Sequence, residues 1–69
     1  MPYRYIEYDD SNAIVAVHDI TASAHLDAGG TLTSSVEGRT MLLSTDTADL
    51  IIEYILESCT IVDGALVRP

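Results

Sequence analysis

Residues 18 to 30, HDITASAHLDAGG, contain the side chains of this chain that most resemble a reactive site. Both histidines lie here, and Ser23, His25 and Asp27 alternate in the order of a nucleophile, a base and an acid. Alternate residues of an extended segment point the same way but lie too far apart to hydrogen-bond in line. No nucleophile elbow surrounds Ser23. We therefore expect no catalytic triad, and no enzyme.

The same stretch raises the question of a metal site. The available donors are His18, Asp19, His25, Asp27 and Cys59, and a structural zinc site needs four that converge on one point. Histidines seven residues apart share no helix face and do not have the usual ligand spacing. We expect no metal and no cofactor, and a small metal-binding protein using His18 and His25 is the least favoured function.

A structural interpretation of this stretch is favoured instead. His18 is predicted to lie near the end of a strand, and residues 21–30 form a connector of small side chains that ends at Gly29 and Gly30. Small side chains let a loop lie flat against another chain, and loops carry much of molecular recognition. We therefore predict that His25, Leu26 and Asp27 contact a protein partner.

Length limits what the chain can do. A chain of 69 residues is predicted to form one domain, and folding at this size buries only about 60% of the surface of the unfolded chain. Hydrophobic residues make up 48%, which argues against intrinsic disorder. Ligand pockets usually measure about 300 to 1,000 Å³, and a domain of this size seldom encloses one. No small-molecule substrate is expected.

The charge of the chain excludes several partners. Eleven acidic residues stand against three arginines, lysine is absent, and the net charge is −8. Binding to phosphate backbones and anionic membranes depends on Lys and Arg, so neither nucleic acid nor a membrane surface is an expected partner. The acidity favours solubility, a basic partner or imitation of a nucleic acid; adaptation of composition to high salt or high GC content is an equal alternative.

Cysteine content and hydropathy bear on location. Cys59 is the single cysteine, so the chain has no intramolecular disulfide. No apolar run approaches the ~20 residues that span a bilayer, and MPYRYIEYDD lacks the apolar region of a signal peptide. We expect a soluble protein made without a signal peptide, in the cytoplasm or in a virion.

Two hairpins are predicted in the first two thirds of the chain. Residues 3–8 and 13–20 are rich in β-formers and flank the turn residues DDSN. Both faces of 13–20 are largely apolar, which predicts a central strand or one that a neighbouring subunit covers. Strands over 31–36 and 39–44 flank Glu37 and Gly38, although the half-polar 31–36 has a weakly specified register.

One amphipathic helix is predicted over residues 47–58, with Asp46 as its N-terminal cap. Its apolar face is formed by Ala48, Ile51, Ile52, Ile55 and Cys59. Asp49, Glu53 and Glu57 fall four residues apart and form a carboxylate stripe. This stripe is either a solvated face or the docking surface for a basic partner, so these three residues join the predicted partner-binding set.

The tail TIVDGALVRP carries the sharpest local signal. Asp63-Gly64 is a preferred two-residue hairpin turn, which predicts strands over 60–62 and 65–67. The whole pattern predicts an α+β domain over 1–69, with a small antiparallel sheet of hairpins and one helix.

The sequence leaves three function classes. The favoured one is a non-enzymatic, acidic structural or interaction subunit of accessory, capsid-associated or adaptor type, which forms a homo-oligomer or docks into a larger assembly. The alternative is an acidic inhibitor that mimics nucleic acid and binds a basic target protein. The third is the metal-binding protein.

Overall fold

The computed structural model describes residues 2–69 as a three-stranded sheet, a two-stranded sheet and two short helices. The predicted α+β class is confirmed, while several of its elements differ in extent. In chain order the elements are β1 (Tyr3–Tyr8), β2 (Ile14–Ile20), α1 (Ala24–Asp27), β3 (Thr40–Leu43), α2 (Ile52–Ser58), β4 (Thr60–Val62) and β5 (Ala65–Val67).

The first predicted hairpin forms. β1 and β2 pair antiparallel, from Tyr3 opposite Ile20 to Tyr8 opposite Ile14, with a bulge after Glu7. Asp9 builds the turn, because its Oδ1 accepts the backbone N–H groups of Ser11 and Ala13 at 3.0 Å each. Short polar side chains that bond to nearby backbone are the reason such residues favour turns.

The sheet order is β2-β1-β3, so β1 is the central strand and β2 lies at an edge. The prediction that 13–20 is a central strand is wrong for the isolated chain, because only one strand pairs with it. The alternative, that a neighbouring subunit covers this strand, stays a prediction.

The predicted strand over residues 31–36 is wrong, since these residues form no strand. The turn at Glu37-Gly38 does form, with Gly38 at φ +83°, but the following strand β3 pairs with β1 instead of with 31–36. The physical reason is the one that weakened the prediction: a half-polar segment gains little from a sheet position. Its Ser34 bonds to β1 through its side chain.

The helix begins at Ile52 rather than at residue 47. Residues 47–50 form a turn, in which Leu50 N–H donates to the Thr47 carbonyl at 3.0 Å. The carbonyls of Thr47 and Leu50 also accept hydrogen bonds from the Arg4 guanidinium, which competes with helix formation. Asp46 therefore caps nothing, and Ile51 holds the cap position with no side-chain hydrogen bond.

The last hairpin forms as predicted, with Asp63 at φ +52° and Gly64 at φ +78°. Positive φ at both central residues is the geometry of a turn that matches the twist of the strands. The main core is small and lies between the sheet, α2 and the hairpin. Its buried members are Ile6, Ile55, Cys59 and Ile61.

Candidate functional site

The small-residue segment after β2 is held together by its own hydrogen bonds. Ser23 caps α1, because its hydroxyl accepts the Leu26 N–H at 3.2 Å. The ring of His25 lies directly against Gly30, where any side chain would collide with it. Its Nε2 donates to the Thr31 carbonyl at 3.0 Å. A one-turn helix and a histidine clasp therefore fix the shape of this segment.

The residues of the possible triad bind three different partners. Ser23 bonds to the Leu26 backbone, His25 to the Thr31 carbonyl, and Asp27 accepts a hydrogen bond from the Tyr3 hydroxyl. That bond to Asp27 raises the pKa of the Tyr3 phenol. These side chains thus hold the segment in place, and they do not bond to one another.

Of the three predicted partner contacts in this segment, two are available. His25 and Asp27 are exposed, whereas Leu26 is buried at 7% exposure beside Tyr3 and Tyr5. Leu26 is the apolar anchor of α1, because a single turn of helix needs a tertiary contact to persist. Its side chain is not offered to a partner.

A buried carboxylate that the sequence did not single out organises the sheet face opposite α2. Glu7 is 7% exposed on β1. Its Oε1 accepts from His18 Nε2 at 2.7 Å, and its Oε2 accepts from the Ser34 hydroxyl at 2.8 Å. Arg39 Nη1 lies 3.4 Å from Oε2. Glu7 thus ties β2 and the segment that connects α1 to β3, residues 28–39, to the central strand.

The surroundings of Glu7 explain both its chemistry and why it was missed. The hydrogen bond from His18, followed by that from Ser34, lowers the pKa of the Glu7 carboxyl. Ser34 and Arg39 stand 27 and 32 residues away in sequence, so no local spacing connects them. The one available signal was an acid inside a run of β-formers at residues 3–8.

Arg4 is the second charged residue that β1 holds in place, on the α2 side of the sheet. Its Nε and Nη2 donate to the two carboxylate oxygens of Asp19 at 2.7 and 3.0 Å. Its Nη1 donates to the carbonyls of Thr47 and Leu50 at 2.5 and 2.6 Å. The bonds from Arg4 lower the pKa of Asp19. Four of the five guanidinium N–H groups are therefore used within the chain.

Two surface pockets border Tyr3 and Leu43. The larger, about 600 Å³, lies at the end of the sheet between Ile20 and the 44–48 loop. Its one cationic side chain, Arg4, already uses four of its five N–H groups on Asp19 and on backbone carbonyls. Little polar chemistry is left there to orient a substrate.

The predicted carboxylate stripe is shorter than expected. Asp49, Glu53 and Glu57 are all exposed, but Asp49 precedes α2 and lies 3.4 Å from Arg68. Only Glu53 and Glu57 share the helix. The surface near α2 therefore carries two stacked carboxylates and one partly neutralised one.

Most of the large apolar side chains of residues 51–67 are exposed to solvent. Only three of its apolar side chains, Ile55, Cys59 and Ile61, are buried. Its exposed large apolar residues, here called the C-terminal apolar surface, are Ile51, Ile52, Tyr54, Leu56, Val62 and Val67. Exposure reaches 64% at Ile51 and 51% at Val62.

Across residues 2–69, no group of three or more His, Cys, Asp or Glu side chains could hold a metal ion. Neither helix in that range has the length and apolar character needed to cross a bilayer. Comparison with protein-family models, with curated proteins and with solved structures finds no match to this chain.

Proposed function

We propose that this chain is a non-enzymatic interaction subunit, which completes its apolar surface by assembling with other protein chains. The observation that carries the proposal is the C-terminal apolar surface. Single exposed apolar residues are normal on proteins, but a concentration of them marks an interaction site. Six of the nine exposed large apolar residues within residues 2–69 fall between Ile51 and Val67.

The energetics favour assembly. Full burial of one large apolar side chain contributes about 1.5 to 3 kcal/mol, so covering side chains that are about half exposed adds about 1 kcal/mol each. The main core of the isolated chain has four buried apolar residues, and Tyr5 and Leu26 are buried outside it. A partner on this surface would therefore add a large fraction of the apolar contribution that the chain gains from its own buried residues.

The double variant Ile51→Gln/Leu56→Gln tests this proposal, and Val36→Gln is its control. Val36 is 46% exposed, like Leu56 at 41%, but lies in the turn before β3. Each chain carries a tag and is expressed in the cells that make this protein, and its sedimentation is measured in the cell extract. We expect wild type and Val36→Gln to sediment as an assembly, and the double variant as a free 69-residue chain. Wild type that sediments as a free chain would contradict the proposal.

The acidic inhibitor remains the second candidate, supported by the exposed pair Glu53 and Glu57. Reversal of both to Lys would abolish binding to a basic target, whereas Asp10→Lys, an equally exposed acid in the first turn, would leave it unchanged. If assembly survives the reversal of Glu53 and Glu57, the inhibitor proposal is wrong and the interaction subunit stands.

A further inference from the structure

We infer that the partner of this chain includes a second copy of itself, joined edge to edge through β2 so that two sheets become one of six strands. This inference rests on the proposed function and gives it a surface and an occupant. It starts from the backbone of β2, the longest strand and an edge of its sheet.

The outward backbone groups of β2 follow from the pairing on the other side of β1. Ser44 N–H donates to the Arg4 carbonyl at 2.8 Å, so Arg4 and Ile6 direct their backbone groups toward β3. Tyr5 and Glu7 then face β2, where they pair with His18 and Ala16. The β2 residues between these pairs, Val17 and Asp19, direct N–H and C=O outward, where residues 2–69 provide no partner.

β2 lacks most of the features that normally keep an edge strand from pairing, and the bulge at Val15 is the exception. Such edges carry charged side chains, lysine above all, or proline. β2 contains neither lysine nor proline, and its two ionisable residues are both engaged within the chain. Asp19 is held by Arg4, and His18 is held by Glu7. No free charge therefore opposes a second strand.

The sequence of β2 suits pairing with itself about a two-fold axis at Val17. Antiparallel pairing there sets Val17 opposite Val17 of the second copy and Val15 opposite its Asp19. The two Asp19 carboxylates stay apart, each beside its own Arg4. The bulge falls at Val15, which has no partner in β1, so the regular part of β2 runs from Ala16 to Ile20. About an axis at Val17, the ladder between the two copies is therefore regular from Ala16 to His18.

The position of α2 extends this joint beyond the strands. Of the strands, β2 is the one with which α2 makes its main backbone contacts. A two-fold axis perpendicular to the sheet keeps both helices on one face, side by side above the joined strands. With Ile55 inward, 100° per residue places Tyr54 on one flank of α2 and Ile52 and Leu56 on the other. Either flank offers exposed apolar side chains to the second helix.

Cysteine crosslinking at one position tests the register. Opposed residues of a hydrogen-bonded pair have Cα atoms about 5.5 Å apart, which a short reagent that links two thiols can span. We expect Val17→Cys to form a crosslinked dimer when the purified chain is treated with such a reagent. Val15→Cys is the matched control, because its copies stand four residues, about 14 Å, out of register. Buried Cys59 is common to both variants.

Each outcome decides the inference. A dimer with Val17→Cys and none with Val15→Cys supports it, whereas no dimer, or equal dimers from both, overturns it. Dimerisation of wild type should also strengthen at least threefold from 50 to 500 mM salt, because two copies of charge −8 repel. If Val17→Cys stays monomeric while Ile51→Gln/Leu56→Gln still disrupts the assembly in extracts, this inference fails and the proposed function survives.

Discussion

At the scale of single residues, two charged side chains on β1 hold distant parts of the chain against the sheet. Arg4 joins β2 to the turn before α2, with its side chain 13% exposed. Glu7 joins β2 to the 28–39 connector on the opposite face. Hydrogen bonds that involve a charged group are stronger than those between neutral groups, so both residues matter in a chain with so small a core.

Arg4→Lys should lower the free energy of unfolding by about 2 kcal/mol, because an ammonium group cannot bind the Asp19 carboxylate bidentately and two carbonyls at once. Arg39→Lys is the control. Arg39 is 37% exposed and makes a single contact at 3.4 Å, so a change below about 0.5 kcal/mol is expected. Urea denaturation measures both, and equal losses would contradict this role for Arg4.

Glu7 should make stability depend on acid pH. Its pKa is lower in the folded chain than its ordinary 4.5, because His18 and Ser34 bond to the ionised form. Its stabilising contribution is therefore fully present above pH 4.5 and is lost as the pH falls through the folded value. The gap in urea midpoint between wild type and Glu7→Gln should be open at pH 7 and should close below about pH 4.5.

An exposed glutamate outside the sheet provides the control for Glu7. Glu37→Gln should show no gap in urea midpoint at any pH, since no hydrogen bond within residues 2–69 engages that side chain. A gap for Glu7→Gln that stayed constant from pH 7 to pH 3 would show that the loss comes from packing and not from ionisation.

At the scale of elements, the sequence predicted correctly those elements that neighbouring residues determine. The hairpin turn at Asp63-Gly64 forms because Asp and Gly are residue types that favour the positive φ this turn requires at both central positions. The strand over 31–36 and the helix start at residue 47 failed because distant side chains decided them. Ser34 bonds to Glu7, and the carbonyls of Thr47 and Leu50 bond to Arg4. No spacing along the chain reveals such contacts.

The late start of α2 predicts an unusual tolerance of proline. Ile51 has φ −78°, close to the value that proline imposes, and its N–H lies outside the helix. Ile51→Pro should change the free energy of unfolding by less than about 1 kcal/mol. Leu56→Pro, inside the helix, should cost about 3 kcal/mol or more. Thermal denaturation followed by circular dichroism compares them, and similar losses would indicate a helix that starts near residue 47.

At the scale of the whole molecule, the chain combines a small buried core with many exposed apolar side chains. Four buried apolar residues form the main core, while six large apolar side chains between Ile51 and Val67 face outward. The Ser23/His25/Asp27 arrangement, which looked reactive in sequence, holds a short segment in shape. These exposed side chains are the basis of the proposal that the chain acts through contacts with other proteins.

Site-specific photo-crosslinking in the cells that make this protein tests that claim most directly. A benzophenone amino acid replaces Tyr54, which is 39% exposed in the C-terminal apolar surface, or Val36 in the control. We expect a discrete protein adduct from position 54, at twice the chain mass where a second copy is captured, and none from position 36. Free chain alone from position 54, or the same adducts from both positions, would contradict it.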